Sequence, residues 1–362
     1  MKRFLIFSFI FILVLSACEQ YYSPIPTITS IPPDMLFITP TSPVEATLVS
    51  TSTPTPSRSI RRGVNFGNML EPPSEGEWGL YVQEEYFDLV KEAGFDFVRL
   101  PVSWDAHADG AEPYTIDPEF FFRVDQVLGW AMKRNLTTIL DFHNYDEMMS
   151  NPWGNEERFI AIWKQVSERY KAYPANLLFE LLNEPNTTLD AQLWNQYVGE
   201  TLAVIRATNP TRDVVIGPTQ WNSYGWISTL DVPDDLHVIY TFHYYEPFHF
   251  THQGAEWAGD EAQGWLGTTW DATDAEKAEI INNFDSITDW SQRHGGVRIL
   301  LGEFGAYSRA PQDSRVRWTA FIREQAEAHG FAWAYWELAA GFGIYDPDAK
   351  VWREDLSKAL IP

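Results

Sequence analysis

Cysteine is almost absent from the 362-residue sequence: Cys18 is the only one. The chain can therefore form no disulfide within itself and no paired-cysteine metal site. Cations are also scarce, since 26 Lys and Arg stand against 50 Asp and Glu, for a formal charge of −24. No extended basic cluster follows the N-terminal region, so nucleic acid is not expected as a partner.

Several catalytic motifs are missing as well. The sequence has no Gly-x-Ser-x-Gly elbow, no His-Glu-x-x-His and no glycine-rich phosphate loop after its first strand-like run. His243, His249 and His252 are close in sequence, but the first is predicted at a strand end and the others in a loop. We therefore expect no catalytic metal, and nothing else in the sequence indicates a cofactor.

The first 58 residues differ in composition from the rest. Residues 1–18 combine a basic start with an apolar run, which is typical of an export signal. The run ends in Leu15-Ser-Ala-Cys18, which resembles the bacterial lipobox, so we expect Cys18 to be lipidated. Residues 19–58 are rich in Thr, Pro and Ser and predict a disordered linker. An exported protein is expected, at the cell surface or outside the cell, in contact with the membrane only through this lipid.

Residues 59–362 alternate between short apolar runs and helical patterns. The strand-like runs are 63–66, 95–100, 136–142, 177–182, 214–216, 237–242, 297–301 and 331–336. The helical patterns are 84–92, 120–133, 156–170, 191–207, 275–292 and 313–328. Eight strands mostly separated by helices in about 300 residues predict one α/β domain, a (β/α)8 TIM barrel. A doubly wound open sheet is the alternative, but the sequence lacks the glycine-rich phosphate loop that is typical of that fold.

Polar or aromatic residues follow each of these strand-like runs. In chain order they are Asn65, Asn68 and Glu71; Arg99; His143, Asn144 and Tyr145; Asn183 and Glu184; Trp221 and Asn222; His243 to Tyr245; Glu303; Trp336 and Glu337. A TIM barrel builds its active site at the carboxyl ends of its strands. We therefore expect these side chains to cluster at one rim.

Two of them, Glu184 and Glu303, form the carboxylate pair that glycoside hydrolysis requires. One carboxyl group protonates the leaving oxygen, and the other acts as nucleophile or as base for water. Their pKa values must differ, so their neighbours should differ, and Arg99 and Tyr245 are candidates to keep one of them ionised. Asn183 is a candidate to bind a sugar hydroxyl. The two strand-end histidines could bind sugar hydroxyls or orient the carboxylates. An aromatic content of 15% fits a groove in which sugar rings stack.

Five segments in this order resemble glycoside hydrolase family 5, the retaining β-glycanases, and most closely its bacterial endo-β-1,4-glucanases of thermophilic type. They are Arg62 to Asn68, Gly94 to Pro101, Leu181 to Pro185, His243 to Trp257, and Gly302 to Ala306. The resemblance runs from about residue 60 to the end. It implies that Glu184 is the acid/base and Glu303 the nucleophile. It also implies that the remaining active-site positions are Arg99, His143, Asn183, His243, Tyr245 and Trp336, the last as a sugar platform.

The resemblance further implies substrate contacts in the groove by Asn68, Glu71 and Trp257, to which we add Asn144. Relatives often have His-His after the third strand, where this chain has His143-Asn144, and the departure bears on mannan activity. The expected function is hydrolysis of β-1,4-glucan. The alternative polymers are β-mannan, glucomannan and mixed-linkage glucan, and the alternative class is a non-catalytic glycan-binding surface lipoprotein. The sequence does not address assembly, for which a monomer is the default expectation.

Overall fold

The computed structural model of the protein describes residues 60–362. The predicted export signal, the predicted linker and Cys18 lie outside the described residues. Within the part described, no helix is both long and apolar enough to cross a membrane.

Eight parallel strands form a closed barrel in chain order, with β1 pairing with both β2 and β8. The strands are β1 Arg62–Asn65, β2 Phe97–Val102, β3 Thr137–Phe142, β4 Leu177–Glu180, β5 Val214–Ile216, β6 Val238–His243, β7 Arg298–Glu303 and β8 Ala332–Tyr335. The pair β9 Tyr345–Asp346 and β10 Val351–Trp352 follows the barrel as a small antiparallel sheet. The predicted (β/α)8 fold is confirmed, and every predicted strand boundary lies within two residues of the observed one.

Helices connect most of the strands. They are α1 Glu84–Ala93, α2 Pro118–Lys133, α3 Asp146–Ser150, α4 Pro152–Tyr170, α5 Ala191–Thr208, α6 Phe248–Thr251, α7 Asp274–Arg293, α8 Gln312–Ala328 and α9 Glu354–Leu360. Their ends follow local chemistry: α7 begins with a Thr273–Glu276 capping box, and α1 ends at Gly94, whose φ of 102° suits glycine. The β5–β6 connection instead contains the 3-10 helix Tyr224–Thr229.

The barrel interior is filled in layers because strand side chains alternate between the inside and the outside. The apolar layer consists of Phe97, Ile139, Leu178, Val215, Ile239, Leu300, Ala332 and Ala334, with Ile60 packed against it. Two residues further along β2, β3 and β4 stand Arg99, Asp141 and Glu180, all fully buried. We call these three the charged layer. The side chains inside the barrel therefore change from apolar to charged over two residues toward the carboxyl ends of the strands.

Candidate active site

Arg99 lies within β2, and its guanidinium group is at the centre of the charged layer. Its Nε and Nη2 atoms donate to the two carboxylate oxygens of Glu180, at 2.7 and 2.9 Å. Nη2 also lies 3.0 Å from Asp141 Oδ2 and donates to Asn183 Oδ1 at 2.8 Å. A buried cation is tolerated only when such partners replace its water, so the charge of Arg99 is fully engaged by this cluster.

Glu303, the last residue of β7, receives a hydrogen bond on each carboxylate oxygen. Arg99 Nη1 donates to Oε1 at 2.7 Å, and the Tyr245 hydroxyl donates to Oε2 at 2.8 Å. Burial raises the pKa of Tyr245 well above its ordinary value, and the nearby Glu303 charge adds to this, so the hydroxyl keeps its proton. Both carboxylate oxygens of Glu303 are therefore held in place by donors.

Glu184 follows β4 and has a different environment. Its Oε1 lies 2.7 Å from His243 Nδ1. Burial lowers the pKa of His243 to about 4, so the imidazole is neutral. Because Asn222 Nδ2 can only donate and lies 3.4 Å from His243 Nε2, Nδ1 is the nitrogen that carries the proton toward Glu184. Burial raises the pKa of Glu184 to about 7, with the Glu180 charge adding to the rise and Arg99 opposing it.

The two glutamates face each other across the barrel mouth. One carboxylate oxygen of Glu184, one of Glu303 and a nitrogen of His243 lie within 4.8 Å of one another. This spacing could also suit a metal ion, but the Arg99 guanidinium already supplies positive charge 2.7 Å from Glu303. Glu303 is therefore held by a cation, whereas Glu184 has a raised pKa. Acid–base catalysis by two carboxyl groups requires such different environments.

His143 supports the floor of the site. Its Nδ1 is 2.6 Å from Asp141 Oδ2, and its Nε2 is 3.5 Å from the amide nitrogen of Asn183. Burial, assisted by the Arg99 charge, lowers the pKa of His143 to about 3. The neutral ring lies parallel to the indole of Trp336, with centroids 5.4 Å apart. The histidine thus orients both the amide and the aromatic platform.

Above the two glutamates is a cleft with two lobes that share Glu184, Tyr245, His252 and Trp257. The Glu303 lobe, about 660 Å³, is lined further by Asn68, Trp78, His143, Asn183, Glu303, Tyr307, Trp336, Glu337, Ala340, Gly341 and Phe342. The Trp221 lobe, about 670 Å³, is lined further by Gln220, Trp221, Ser223, Tyr224, Trp226, His243, Glu246, Phe248 and Ala258. A larger cavity of about 1090 Å³ lies against α2, α4 and α5 and contains none of the charged layer.

Two of the residues predicted to contact substrate lie outside the cleft lining. Among the residues that the structure describes, Glu71 and Asn144 line neither lobe. Glu71 is 1% exposed, and its carboxylate accepts the backbone N–H groups of Asn68 and Met69. Asn144 donates its amide to the carbonyl oxygen of Glu71 at 2.8 Å. Both side chains therefore hold the loop that presents Asn68, instead of facing the cleft themselves.

The remaining predicted groove residues do line the cleft. Asn68 and Trp336 lie in the Glu303 lobe, and Trp257 borders both lobes. Trp257 is 62% exposed, and its indole packs edge-on against the ring of Tyr307, with centroids 4.9 Å apart. The exposed indole therefore packs against a second aromatic ring of the cleft.

Several site residues were not found from the sequence. Asp141 and Glu180 stand inside predicted apolar runs, and period-two alternation puts Asp141 on the same face as His143. Glu337 follows the last barrel strand, and its sequence position predicts no particular role. It is 1% exposed, its Oε2 has no hydrogen-bond partner within residues 60–362, and burial raises its pKa to about 8. The cleft aromatics Trp78 and Trp226 stand in segments without periodic pattern.

A (β/α)8 barrel with two unlike carboxyl groups facing each other under an aromatic cleft defines a glycoside hydrolase. Comparison with known families agrees with this class. The model of the cellulase family, glycosyl hydrolase family 5, matches residues 61–341, and the chain belongs to this family.

Individual relatives point the same way. Endoglucanase H of Acetivibrio thermocellus is 40% identical over 298 residues, covering 82% of this chain and 31% of that protein. The chain thus spans about a third of that relative's length. The solved structure of endoglucanase Cel5A from Thermotoga maritima has a TM-score of 0.81 at 44% identity, covering 83% of this chain and 97% of that one. Cellulose synthase subunit Z of Clostridioides difficile has a TM-score of 0.82 at 38% identity, covering 84% and 100%.

Proposed function

We propose that this protein is an endo-β-1,4-glucanase that hydrolyses β-glucan chains with retention of anomeric configuration. The observation that carries the proposal is the separation of no more than 4.8 Å between carboxylate oxygens of Glu184 and Glu303. Retaining enzymes place the pair about 5–5.5 Å apart, whereas inverting enzymes need about 6.5–9.5 Å to admit a water molecule. The relatives named as endoglucanases support the choice of β-1,4-glucan.

In the first step Glu303 attacks the anomeric carbon of the sugar above it. The bond from that carbon to the bridging oxygen breaks as the bond to the Glu303 oxygen forms, and Glu184 gives its proton to the leaving oxygen. The hydrogen bonds from Arg99 and Tyr245 orient the nucleophile. The raised pKa of Glu184 keeps a proton available near neutral pH.

In the second step Glu184 acts as a base instead of an acid. Having lost its proton, Glu184 takes one from a water molecule, and the resulting hydroxide displaces Glu303 from the anomeric carbon. The His243 N–H, 2.7 Å away, stabilises the carboxylate between the two steps. The sugar leaves with its original configuration, and the protein returns to its starting state without a cofactor.

The two lobes then take opposite sides of the scissile bond. The Glu303 lobe contains the nucleophile, so it holds the sugar that becomes attached to the protein. The Trp221 lobe contains the acid Glu184 but not Glu303, so it holds the leaving group. The cleft extends to both sides of the two glutamates, and the relatives are named endoglucanases, which together favour endo action over removal of end units.

The polymer is tested with a reducing-sugar assay on soluble β-1,4-glucan, mixed-linkage glucan, glucomannan and mannan, with viscosity measured alongside to detect internal cleavage. Mannan belongs in the panel because solved structures of Thermotoga maritima Cel5A are described in complex with mannotriose as well as cellobiose. We expect β-1,4-glucan to be preferred and glucomannan to be cleaved more weakly. Higher activity on pure mannan than on any glucan would overturn this ranking.

We also propose that the protein is exported and anchored to the membrane by a lipid on Cys18. The support is the Leu15-Ser-Ala-Cys18 boundary after an apolar run, with the Thr- and Pro-rich residues 19–58 as spacer to the barrel. The full chain expressed in a bacterial host should partition into detergent, and Cys18→Ser should move it to the aqueous phase. A Cys18→Ser protein that still partitions with membranes contradicts the anchor.

A further inference from the structure

The wall of the Trp221 lobe carries exposed aromatic surface that the two chemical steps do not use. Trp221 is 50% exposed and Trp226 is 44% exposed, and both line this lobe. A single exposed tryptophan is unremarkable on a protein surface, but two that line the same lobe of a cleft give it apolar surface for a ligand. Exposed indole rings suit the flat apolar sides of β-linked sugar rings.

Trp221 stands on a strained turn. Residues 220–222 have φ values of 60°, 58° and 51°, in the left-handed region that is unfavourable for residues other than glycine. The turn is held by the Trp221 N–H, which donates to Pro185 O at 3.2 Å, and by the His243 N–H, which donates to Asn222 O at 2.8 Å. Pro185 directly follows Glu184, so the turn places Trp221 next to the acid.

Trp226 is fixed by a different element, the 3-10 helix Tyr224–Thr229. The inner side of this helix is anchored by Ile227, which is 4% exposed. At its end, Asn195 of α5 donates its amide to Thr229 O at 2.8 Å. The Trp226 side chain is therefore presented on a support that is ordered before substrate binds, and this reduces the entropy lost on stacking.

We infer that Trp226 is the outer sugar platform on the leaving-group side, with Trp221 as the inner one. Trp221 is bonded to Pro185, the residue after Glu184, whereas the 3-10 helix that carries Trp226 is bonded to α5. The inference therefore assigns the first sugar beyond the scissile bond to Trp221 and the second to Trp226. This inference rests on the proposed function, because it takes its direction from Glu184 as the acid. It makes Trp226 a specificity-determining residue that selects chains with at least two sugar units on the leaving-group side.

The test compares Trp226→Ala with the wild type on two kinds of substrate. With cello-oligosaccharides labelled at the reducing end, kcat/KM should fall about 5- to 10-fold for cleavages that release two or more sugars, mainly through a higher KM. With an aryl cellobioside, whose leaving group fills only the inner position, kcat/KM should change less than about twofold. Trp226→Phe should restore most of the loss, because it keeps a flat ring.

Trp153→Ala is the matched control, since this indole is 66% exposed at the start of α4 and does not line either lobe. Trp153→Ala should leave kcat/KM unchanged on both kinds of substrate. Equal losses on oligosaccharides and on the aryl cellobioside would make Trp226 a structural residue, and no loss on either would show that it does not contact the chain. The aryl cellobioside separates the two proposals, because wild-type protein that fails to hydrolyse it contradicts the proposed function itself.

Discussion

The apolar layer and the charged layer occupy the same barrel, one step apart on the same strands, yet they have opposite energetic roles. Phe97 and Arg99 are two residues apart on β2, as are Leu178 and Glu180 on β4, and all four are buried. Burying an apolar side chain stabilises the fold by about 1.5–3 kcal/mol. Burying a charge costs more than this unless partners replace the lost water, and even a well-paired ion pair roughly breaks even.

The two layers contribute differently to the stability of the barrel and to its activity. The apolar layer closes the barrel below the site, and the charged layer fixes Glu303 and Asn183 through Arg99. Substitutions in the apolar layer should therefore change the free energy of unfolding and leave turnover intact. Substitutions in the charged layer should change both, and those at the two facing glutamates should change turnover most.

The largest expected effect is on turnover, at Glu303. Glu303→Gln should lower kcat by at least about 10⁴-fold on every substrate, because loss of a nucleophile removes the covalent step. Glu184→Ala should be less uniform: an aryl cellobioside with a good leaving group needs little protonation and should retain more activity than a glucan does. Steady-state kinetics on both substrates measure the contrast. If Glu184→Ala lowers activity equally on the aryl cellobioside and on the glucan, Glu184 is not the acid.

Arg99→Met should affect stability and activity together. It leaves the Glu180 and Asp141 carboxylates buried without their cation, and breaking a buried pair in this way costs about 3–5 kcal/mol. Urea unfolding at pH 7 measures the loss, which should shrink at pH 5 as the carboxyl groups take up protons. Lys358→Met, at an exposed ion pair with Glu354, is the control and should leave stability unchanged. A fully stable Arg99→Met protein would contradict the account of the charged layer.

Leu178→Ala tests the apolar layer. Leu178 is 1% exposed, and the cavity left by the truncation should lower the free energy of unfolding by about 2–5 kcal/mol. The kcat of the protein that remains folded should match the wild type, because Leu178 belongs to the apolar layer and lines neither lobe of the cleft. A large drop in kcat at a temperature where the variant is folded would show that the layers are not independent.

The free energy of unfolding should also depend on pH. Burial raises the folded-state pKa of Glu184 and of Glu71 to about 7 and that of Glu337 to about 8, from an ordinary value of 4.5. The folded protein thus binds more protons than the unfolded chain between these values, so the free energy of unfolding should fall as pH rises from 4.5 through 8. Glu337→Gln should flatten the upper part of this slope, and an unchanged slope would exclude Glu337 as a contributor.

The same comparison explains how much could be predicted from the sequence. The strands were predictable because each is a short apolar run, and Glu184 and Glu303 because each stands at the end of such a run. Asp141 and Glu180 were harder to assign: alternation puts Asp141 on the same face as His143, but the closed barrel is needed to show that this face points inward. Glu71 and Asn144 occupy positions beside the cleft, but their side chains turn to backbone groups, a choice that depends on the folded loop. Trp226 lies on a short 3-10 helix without periodicity.

Trapping the covalent intermediate tests the mechanism most directly. Glu303 should form the bond to the sugar, while Glu184 supplies and removes the proton. A 2-fluoro cellobioside with a good leaving group should inactivate the protein, and mass spectrometry of its peptides should place the label on Glu303. Proton NMR during hydrolysis of a β-linked substrate should show the β-anomer first. A label on any other residue, or the α-anomer as first product, would contradict the assignment.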